Sequence, residues 1–172
     1  MPIDVLIDGY NLLHAAGLAK SKYARGELER RRTRLIAKLK DLLDPDQFAR
    51  TTIVFDARVN PPPDRPDSPS GPLTVLFPPR HQEADDLVEE LLSKHSAPHQ
   101  VLVVSSDHRL HKAARRRGAT PIDSEAFLDQ LEVEQHLGSA RTPDPSPAKP
   151  PDPADPFNDP GFWERRIKGV DP

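Results

Sequence analysis

The chain of 172 residues contains no cysteine, few aromatic residues and no long apolar run. Because cysteine is absent, a disulfide scaffold, a thiolate nucleophile, a cysteine-ligated zinc site and an iron–sulfur cluster are all excluded. No segment approaches the roughly 18 apolar residues that a membrane-spanning helix needs. Asp4 and Asp8 also interrupt the first apolar run. We therefore expect neither a signal peptide nor a membrane span, and we expect a cytoplasmic protein.

A large excess of positive charge is also missing. The chain has 24 Lys and Arg residues against 27 Asp and Glu residues, and its formal net charge is −3. Bulk attraction to a nucleic acid is therefore not expected. Any RNA contact would have to come from local basic patches.

Proline, in contrast, is abundant and concentrated in two places. Of the 21 prolines, eight fall within residues 61–79 and nine within residues 143–172. This distribution predicts one domain over residues 1–140 and a Pro-rich disordered tail over residues 141–172. Three aromatic residues near the end of the tail are compatible with disorder or with a terminal docking motif; these are Phe157, Phe162 and Trp163.

Short apolar runs rich in β-branched residues alternate with helical patterns. The runs predict strands at Ile3–Ile7, Thr51–Phe55, Leu73–Phe77, Val101–Val104 and Thr120–Ile122. Helices are predicted at Ala24–Leu43, at Glu83–Lys94, from a cap at Ser106 or Asp107 to near Gly118, and after a cap at Ser124. Strands that alternate with helices imply right-handed crossovers. The predicted fold is therefore α/β, with a doubly wound, mainly parallel sheet flanked by helices.

Acidic residues follow the predicted strands. Asp8 and Asp56 end the first two strands, Asp85 and Asp86 open the helix after the third, and Asp107 follows the fourth. Because the carboxyl ends of parallel strands share one edge, where such folds bind ligands, we expect these residues to lie together. Each residue alone also fits a turn, a loop or a helix N-terminus. Together their carboxylates would repel one another unless a cation neutralised them.

The ligand type narrows the choice of cation. Oxygen ligands without cysteine favour Mg²⁺ or Mn²⁺, which can activate a water and stabilise the leaving oxygen in phosphodiester cleavage. A haloacid-dehalogenase-type phosphatase fits less well, because the second acid of an Asp-x-Asp motif is missing after Asp8. A Rossmann glycine fingerprint, a P-loop and a serine nucleophile elbow are absent too.

Four short motifs occur in a fixed order along the chain. They are LIDGYNLL at residues 6–13, VFDA at residues 54–57, EADDL at residues 83–87 and VSSD at residues 104–107. This ordered set resembles the NYN domains, and more narrowly the YacP-like group of PIN-like endoribonucleases, over roughly residues 3–135. The resemblance implies a PIN-like fold and divalent-metal-dependent cleavage of RNA.

The resemblance also implies roles for particular residues. Asp8, Asp85 and Asp107 match the metal-binding and catalytic acids, and Asn11 matches the Asn that holds a loop or a metal-bound water. Asp86 and Asp56 are expected as further metal ligands. The implied cofactor is Mg²⁺ or Mn²⁺, and the implied partner is RNA, free or within a ribonucleoprotein or the translation machinery. The alternative is a non-catalytic RNA- or ribonucleoprotein-binding module with the same fold.

Basic residues suggest where RNA would bind. Some recur at helical spacing opposite the leucines of the first long predicted helix, some cluster before Gly118, and some adjoin the acidic motifs. A solvated helix face paired with Glu27 and Glu29 would give the first pattern equally well. Under the functional interpretation they form a track for the RNA backbone. The candidate RNA-binding residues are Arg30, Arg34, Lys38, Arg80, Arg109, Arg115 and Arg116.

Overall fold

The computed structural model describes residues 3–56, 72–79 and 81–141. Its strands are β1 (Asp4–Asp8), β2 (Thr51–Val54), β3 (Thr74–Leu76), β4 (Val101–Val104) and β5 (Thr120–Ile122). They form one sheet in the order β3-β2-β1-β4-β5. Every strand pair in it is parallel. The predicted α/β fold with a doubly wound sheet is therefore confirmed.

The helices connect the strands in the expected alternation. They are α1 (Gly9–Ala15), α2 (Glu27–Leu42), α3 (Pro45–Ala49), α4 (Ala84–Lys94), α5 (His108–Arg117) and α6 (Ser124–Arg141). The helices predicted from apolar periodicity correspond to α2, α4, α5 and α6. Two short helices, α1 and α3, were not predicted, because neither is long enough to show a repeated apolar pattern.

Side-chain caps explain why both short helices form. The Asp8 carboxylate accepts hydrogen bonds from the first free backbone N–H groups of α1. Asp44 does the same for α3, where Pro45 takes the first helical position, which needs no N–H donor. Each helix therefore begins at an aspartate that directly follows an apolar segment.

Both faces of the sheet are covered. One apolar core packs α1, α2, α3 and α6 against the sheet, with Leu13 and Leu35 fully buried in it. A second core packs α4 and α5 against the other face around Val88 and Leu110. Strands buried on both faces read as continuous apolar runs, which is why their positions could be predicted.

Some predictions fall outside the described residues. These are the Pro-rich tail beyond residue 141, most of the Pro-rich segment between β2 and β3, and Arg80. The domain boundary at residue 140 therefore stays a prediction. In the described part of the chain, no helix is long and apolar enough to cross a membrane.

Candidate active site

The sheet has a switch in strand order beside its central strand. From β1 the chain moves outward to β2 and β3, and then returns to the other side of β1 to form β4 and β5. Register pairs Ile7 of β1 with Val104 of β4, so the two strands end side by side. Ligands of parallel α/β sheets bind at such a switch point, outside the carboxyl ends of the strands.

Asp8 ends β1 at this switch point and is only 3% exposed. Its Oδ1 atom accepts hydrogen bonds from the backbone N–H groups of Tyr10 at 3.1 Å and Asn11 at 3.2 Å. Its Oδ2 atom accepts from the Asn11 side-chain amide and from the Ser105 hydroxyl. Four donors therefore fix the position of this carboxylate, and the role of Asn11 in holding a loop or a metal-bound water stays a prediction.

Ser105 joins the two strand ends. It is fully buried directly after β4. Its hydroxyl donates to Asp8, and the same oxygen accepts from the Asn11 amide at 3.2 Å and from the Asp107 backbone N–H at 3.1 Å. His111 donates from Nε2 to the Ser105 carbonyl oxygen at 2.5 Å. Sequence reasoning assigned Ser105 no role, although its place as the first polar residue after a buried strand was a usable signal.

Three carboxylates interact at this point, and we call Asp8, Asp85 and Asp107 the acidic cluster. Asp85 lies half-buried in the first turn of α4, and Asp107 caps α5 by accepting from the Arg109 backbone N–H at 2.7 Å. Burial and the negative charges of Asp8 and Asp107 raise the pKa of Asp85 to about 6. The structure thus brings together the three acids that the family resemblance matches to metal-binding and catalytic positions.

Asp86 and Arg109 pair with each other, whereas the sequence predicted a metal ligand at Asp86 and an RNA contact at Arg109. The Asp86 carboxylate accepts from the Glu83 backbone N–H at 3.2 Å and from Arg109 Nη2 at 2.5 Å. Arg109 Nε also donates to Glu89 at 2.7 Å. Arg109 therefore ties α4 to α5 through two carboxylates. Asp86 faces this cation and its own helix N-terminus, so the assignment of Asp86 as a metal ligand stays a prediction.

Aromatic side chains occupy the adjoining part of the edge, next to β2 and β3. A buried guanidinium group, that of Arg32, lies 5.2 Å from the ring centroid of Phe55 and 5.1 Å from that of Phe77. The two rings stack at 6.2 Å. We call the aromatic residues here the aromatic cluster; it consists of Tyr10, Tyr23, Phe55 and Phe77.

Asp56 belongs to these surroundings. Its backbone carbonyl oxygen accepts from Arg32 Nη2 at 3.2 Å. The pKa of Tyr10 is raised by a hydrogen bond with Tyr23, by burial and by the charges of Tyr23 and Asp56. Asp56 therefore lies beside Tyr10 and Arg32. The structure does not place Asp56 among the charges that raise the pKa of Asp85, and its role as a metal ligand stays a prediction.

The buried guanidinium of Arg32 was not predicted, although the apolar pattern of α2 indicated it. Position 32 lies on the same face of α2 as Leu28, Leu35 and Leu39, all of which are fully buried. An arginine in an apolar stripe predicts a buried cation with specific partners. Burial lowers the pKa of Arg32, and the negative charges of Glu29 and Asp56 partly offset this effect.

The other predicted RNA-binding residues lie on three helices. Arg30 and Arg34 are exposed on α2. Lys38 is paired with Glu132 of α6 at 2.8 Å. Arg115 and Arg116 are exposed in the last turn of α5, a helix that starts at the acidic cluster and runs about 15 Å away from it. The structure thus does not bring Arg115 and Arg116 to the acids.

The donors of the acidic cluster fit a hard cation. All three side chains offer carboxylate oxygens, the ligand type of Mg²⁺ and Mn²⁺. In the described part of the chain, no three acidic or histidine side chains are grouped closely enough to hold one metal ion. Mg²⁺ commonly keeps several waters and uses only one or two protein carboxylates together with substrate phosphates. Carboxylates that share one sheet edge but are not grouped around a single point suit that mode of binding.

Comparisons with known proteins agree with this architecture. The model of the YacP-like NYN domain family matches residues 5–152. The solved structure of Rae1 (YacP) from Bacillus subtilis is similar, with a TM-score of 0.63 and 24% identity over 82% of this chain and 79% of that chain. A Trp-to-Leu variant of Rae1 gives a TM-score of 0.60 and 26% identity over 82% and 81%. No curated protein matches the chain significantly.

Proposed function

Because the chain belongs to the YacP-like NYN domain family, whose fold is that of PIN-like ribonucleases, we propose that it is a divalent-metal-dependent endoribonuclease. One observation carries this proposal, namely the convergence of Asp8, Asp85 and Asp107 at the switch point of the sheet. Three carboxylates at one edge raise the electrostatic free energy of the metal-free protein. Such an arrangement is typical of a site that binds a cation together with an anionic substrate.

The acidic cluster would hold Mg²⁺ or Mn²⁺ through one or two of its carboxylates. Such an ion supplies positive charge for the phosphate oxygens and lowers the pKa of a bound water. Asp8 contributes a carboxylate held rigidly by backbone and side-chain donors, and Asn11 and Ser105 keep it aimed across the switch point. Asp86 and Asp56 would act from the margins of the site, next to Arg109 and Arg32.

RNA would be guided by exposed cations around this edge. Arg30 and Arg34 project from α2 without an ion pair to an acidic residue in the described part of the chain. Lys38 and Arg109 already pair with carboxylates, so their contribution requires exchange of partners. Arg115 and Arg116 would contact a longer RNA beyond the site. The partner RNA, free or within a ribonucleoprotein or the translation machinery, remains part of the proposal, as does Arg80.

Cleavage of an end-labelled single-stranded RNA tests the proposal. We expect internal cuts with Mn²⁺ or Mg²⁺ and none with excess chelator. Asp85→Asn should remove most of this cleavage. The matched control is Asp41→Asn, since Asp41 is exposed near the end of α2, away from the carboxyl edge. Equal cleavage by Asp85→Asn and by the wild-type protein would overturn the assignment.

A non-catalytic RNA-binding module is the second candidate. It is favoured by the complete set of hydrogen bonds on Asp8, which already uses both carboxylate oxygens. The same assay separates the two functions. RNA binding that persists with either ion, without any cut and without dependence on Asp85, would support the binding module.

A further inference from the structure

The only two tyrosines of the chain lie together, and one of them, Tyr10, follows Asp8 of the acidic cluster by two residues. Tyr10 and Tyr23 are joined by a side-chain hydrogen bond. The Tyr23 hydroxyl also accepts from the Lys20 backbone N–H at 2.9 Å. The Tyr10 ring meets the His14 ring edge to face at 5.2 Å. The Tyr10 side chain is therefore held in one orientation, although it is only half-buried.

Tyr10 is also tied directly to the first acid of the site. Its backbone N–H donates to Asp8 Oδ1 at 3.1 Å, as part of the cap of α1. Because only one residue separates Tyr10 from Asp8 in the chain, a nucleotide that adjoins a phosphate bound at the acidic cluster would come near Tyr10. Two neighbours of Tyr10 on α1, Leu12 and Leu13, are fully buried. Core packing thus buries those two residues completely, whereas Tyr10 packs against the same core and remains only half-buried.

The charges around Tyr10 favour a base over a phosphate. The negative charge of Asp56 acts on Tyr10, and the charge of Glu29 acts on the adjacent Arg32. The Arg32 guanidinium is buried and directed at the Asp56 carbonyl and at two phenylalanine rings. A phosphate would be repelled by these carboxylates. A nucleobase has a π face that stacks on an aromatic ring and carries little charge.

We propose that Tyr10 is a base-stacking residue that receives the base of a nucleotide next to the scissile phosphate. This inference rests on the proposed function and deepens it, because it makes the site selective for single-stranded RNA. Only an unpaired, unstacked base can turn its face onto a protein ring, whereas bases within a duplex remain stacked on one another. Tyr10 thereby sets the class of RNA that enters the acidic cluster.

Photo-crosslinking of the wild-type protein tests this proposal without relying on a mutant that has to fold. A single-stranded oligoribonucleotide with 4-thiouridine at successive positions is irradiated with the full chain in Mg²⁺ and, in parallel, in excess chelator. We expect the crosslinked base to be found on Tyr10 by mass spectrometry. The same sequence in a perfect duplex should give no crosslink there. Crosslinks that map only to other residues would overturn the proposal.

Binding by variants gives a second measurement. With 2-aminopurine in the RNA, the wild-type protein should quench its fluorescence on binding. Tyr10→Leu should abolish the quenching and weaken binding by about 5- to 100-fold. Tyr10→Phe keeps the ring and should retain the quenching. Folding of each variant is checked by thermal melting, and wild-type quenching by a folded Tyr10→Leu protein would contradict the proposal.

These measurements also separate the stacking role from the nuclease activity. Both are made with Mg²⁺ and in chelator, and both report the contact with the base rather than the cut. A crosslink on Tyr10 in a protein that never cuts RNA with Mn²⁺ would support the stacking role while the proposed function fails. Cleavage that depends on Asp85, together with crosslinks only elsewhere, would overturn the stacking role and leave the proposed function standing.

Discussion

The acidic cluster and the aromatic cluster adjoin each other on one sheet edge but differ in what they contribute to stability. In the acidic cluster, like charges and burial raise the pKa of Asp85 to about 6, so the metal-free arrangement is electrostatically unfavourable. In the aromatic cluster, Arg32 packs over two stacked rings and donates to a backbone carbonyl. Like charges are thus concentrated where a cation would relieve them, whereas the desolvated charge of Arg32 is already offset in part by Glu29 and Asp56.

The largest expected effect comes from Asp8→Asn, which should separate function from folding. Asparagine caps a helix about as well as aspartate, so α1 should persist. Its NH₂ group, however, would face the Asn11 and Ser105 donors that Oδ2 now accepts from, so the melting temperature should fall by several degrees while the protein stays folded. Cleavage of RNA with Mn²⁺ should fall on the order of 100-fold or more, because a charged ligand is lost. Parallel melting curves and single-turnover cleavage measure both effects. A variant that cleaves normally would remove Asp8 from the chemistry.

Gly9→Ala should have the next largest effect, at the junction of the two clusters. A Cβ atom at Gly9 would lie 2.5 Å from two ring atoms of Phe55 and 2.9 Å from the Val54 carbonyl oxygen. The ring or α1 must move, at an expected cost of about 1–3 kcal/mol in the free energy of unfolding, measured with urea. Gly17→Asn is the control. Gly17 has open space and a φ of 66°, which asparagine tolerates. Equal losses in both variants would contradict the close approach.

Asp85→Asn should change how stability depends on pH. The native pKa of Asp85 is about 6, above the usual 3.8, so the folded protein holds this proton more tightly than the unfolded chain. This contribution is fully present below about pH 4 and is lost as the pH rises towards 6. Without metal at pH 7, the variant should be more stable by about 1 kcal/mol, a figure reduced for solvent screening because Asp85 is half exposed. Urea denaturation between pH 4 and pH 7 measures this difference. Identical pH profiles for the wild type and the variant would contradict it.

The smallest effect concerns the basic residues of α2. Arg34→Gln should lower the slope of log affinity for single-stranded RNA against log salt by about 0.7, the value for one lost phosphate contact. Lys38→Gln should change the slope less, because Lys38 pairs with Glu132. Fluorescence anisotropy in chelator at several salt concentrations measures both slopes. If neither slope changes, α2 presents a solvated face and RNA follows another path.

The strands, and the acidic residues that follow them, could be predicted from the sequence because both depend on local patterns, whereas the resemblance to the NYN domains singled out Asp8, Asp85 and Asp107. Apolar runs marked β1, β2, β4 and β5; Asp8 follows the first of these runs directly, and Asp107 follows the β4 run after two serines. The side-chain partners of Asp86 and Asp56 could not be predicted, because those partners are distant in sequence. Asp86 pairs with an arginine of another helix, and Asp56 lies beside a cation from α2. Strand ends bring carboxylates to one edge, but the partners of each carboxylate depend on tertiary packing.

The central place of β1 has a consequence for synthesis of the chain. β1 is made first, yet its neighbours are β2, through Val5 and Thr51, and β4, through Asp4 and Val101. Such non-local pairing is slow to form and requires both partners to be available. Asp8 therefore gains Ser105 as a neighbour only after β4 has left the ribosome. A growing chain therefore carries no assembled acidic cluster until β4 has been made and has joined the sheet.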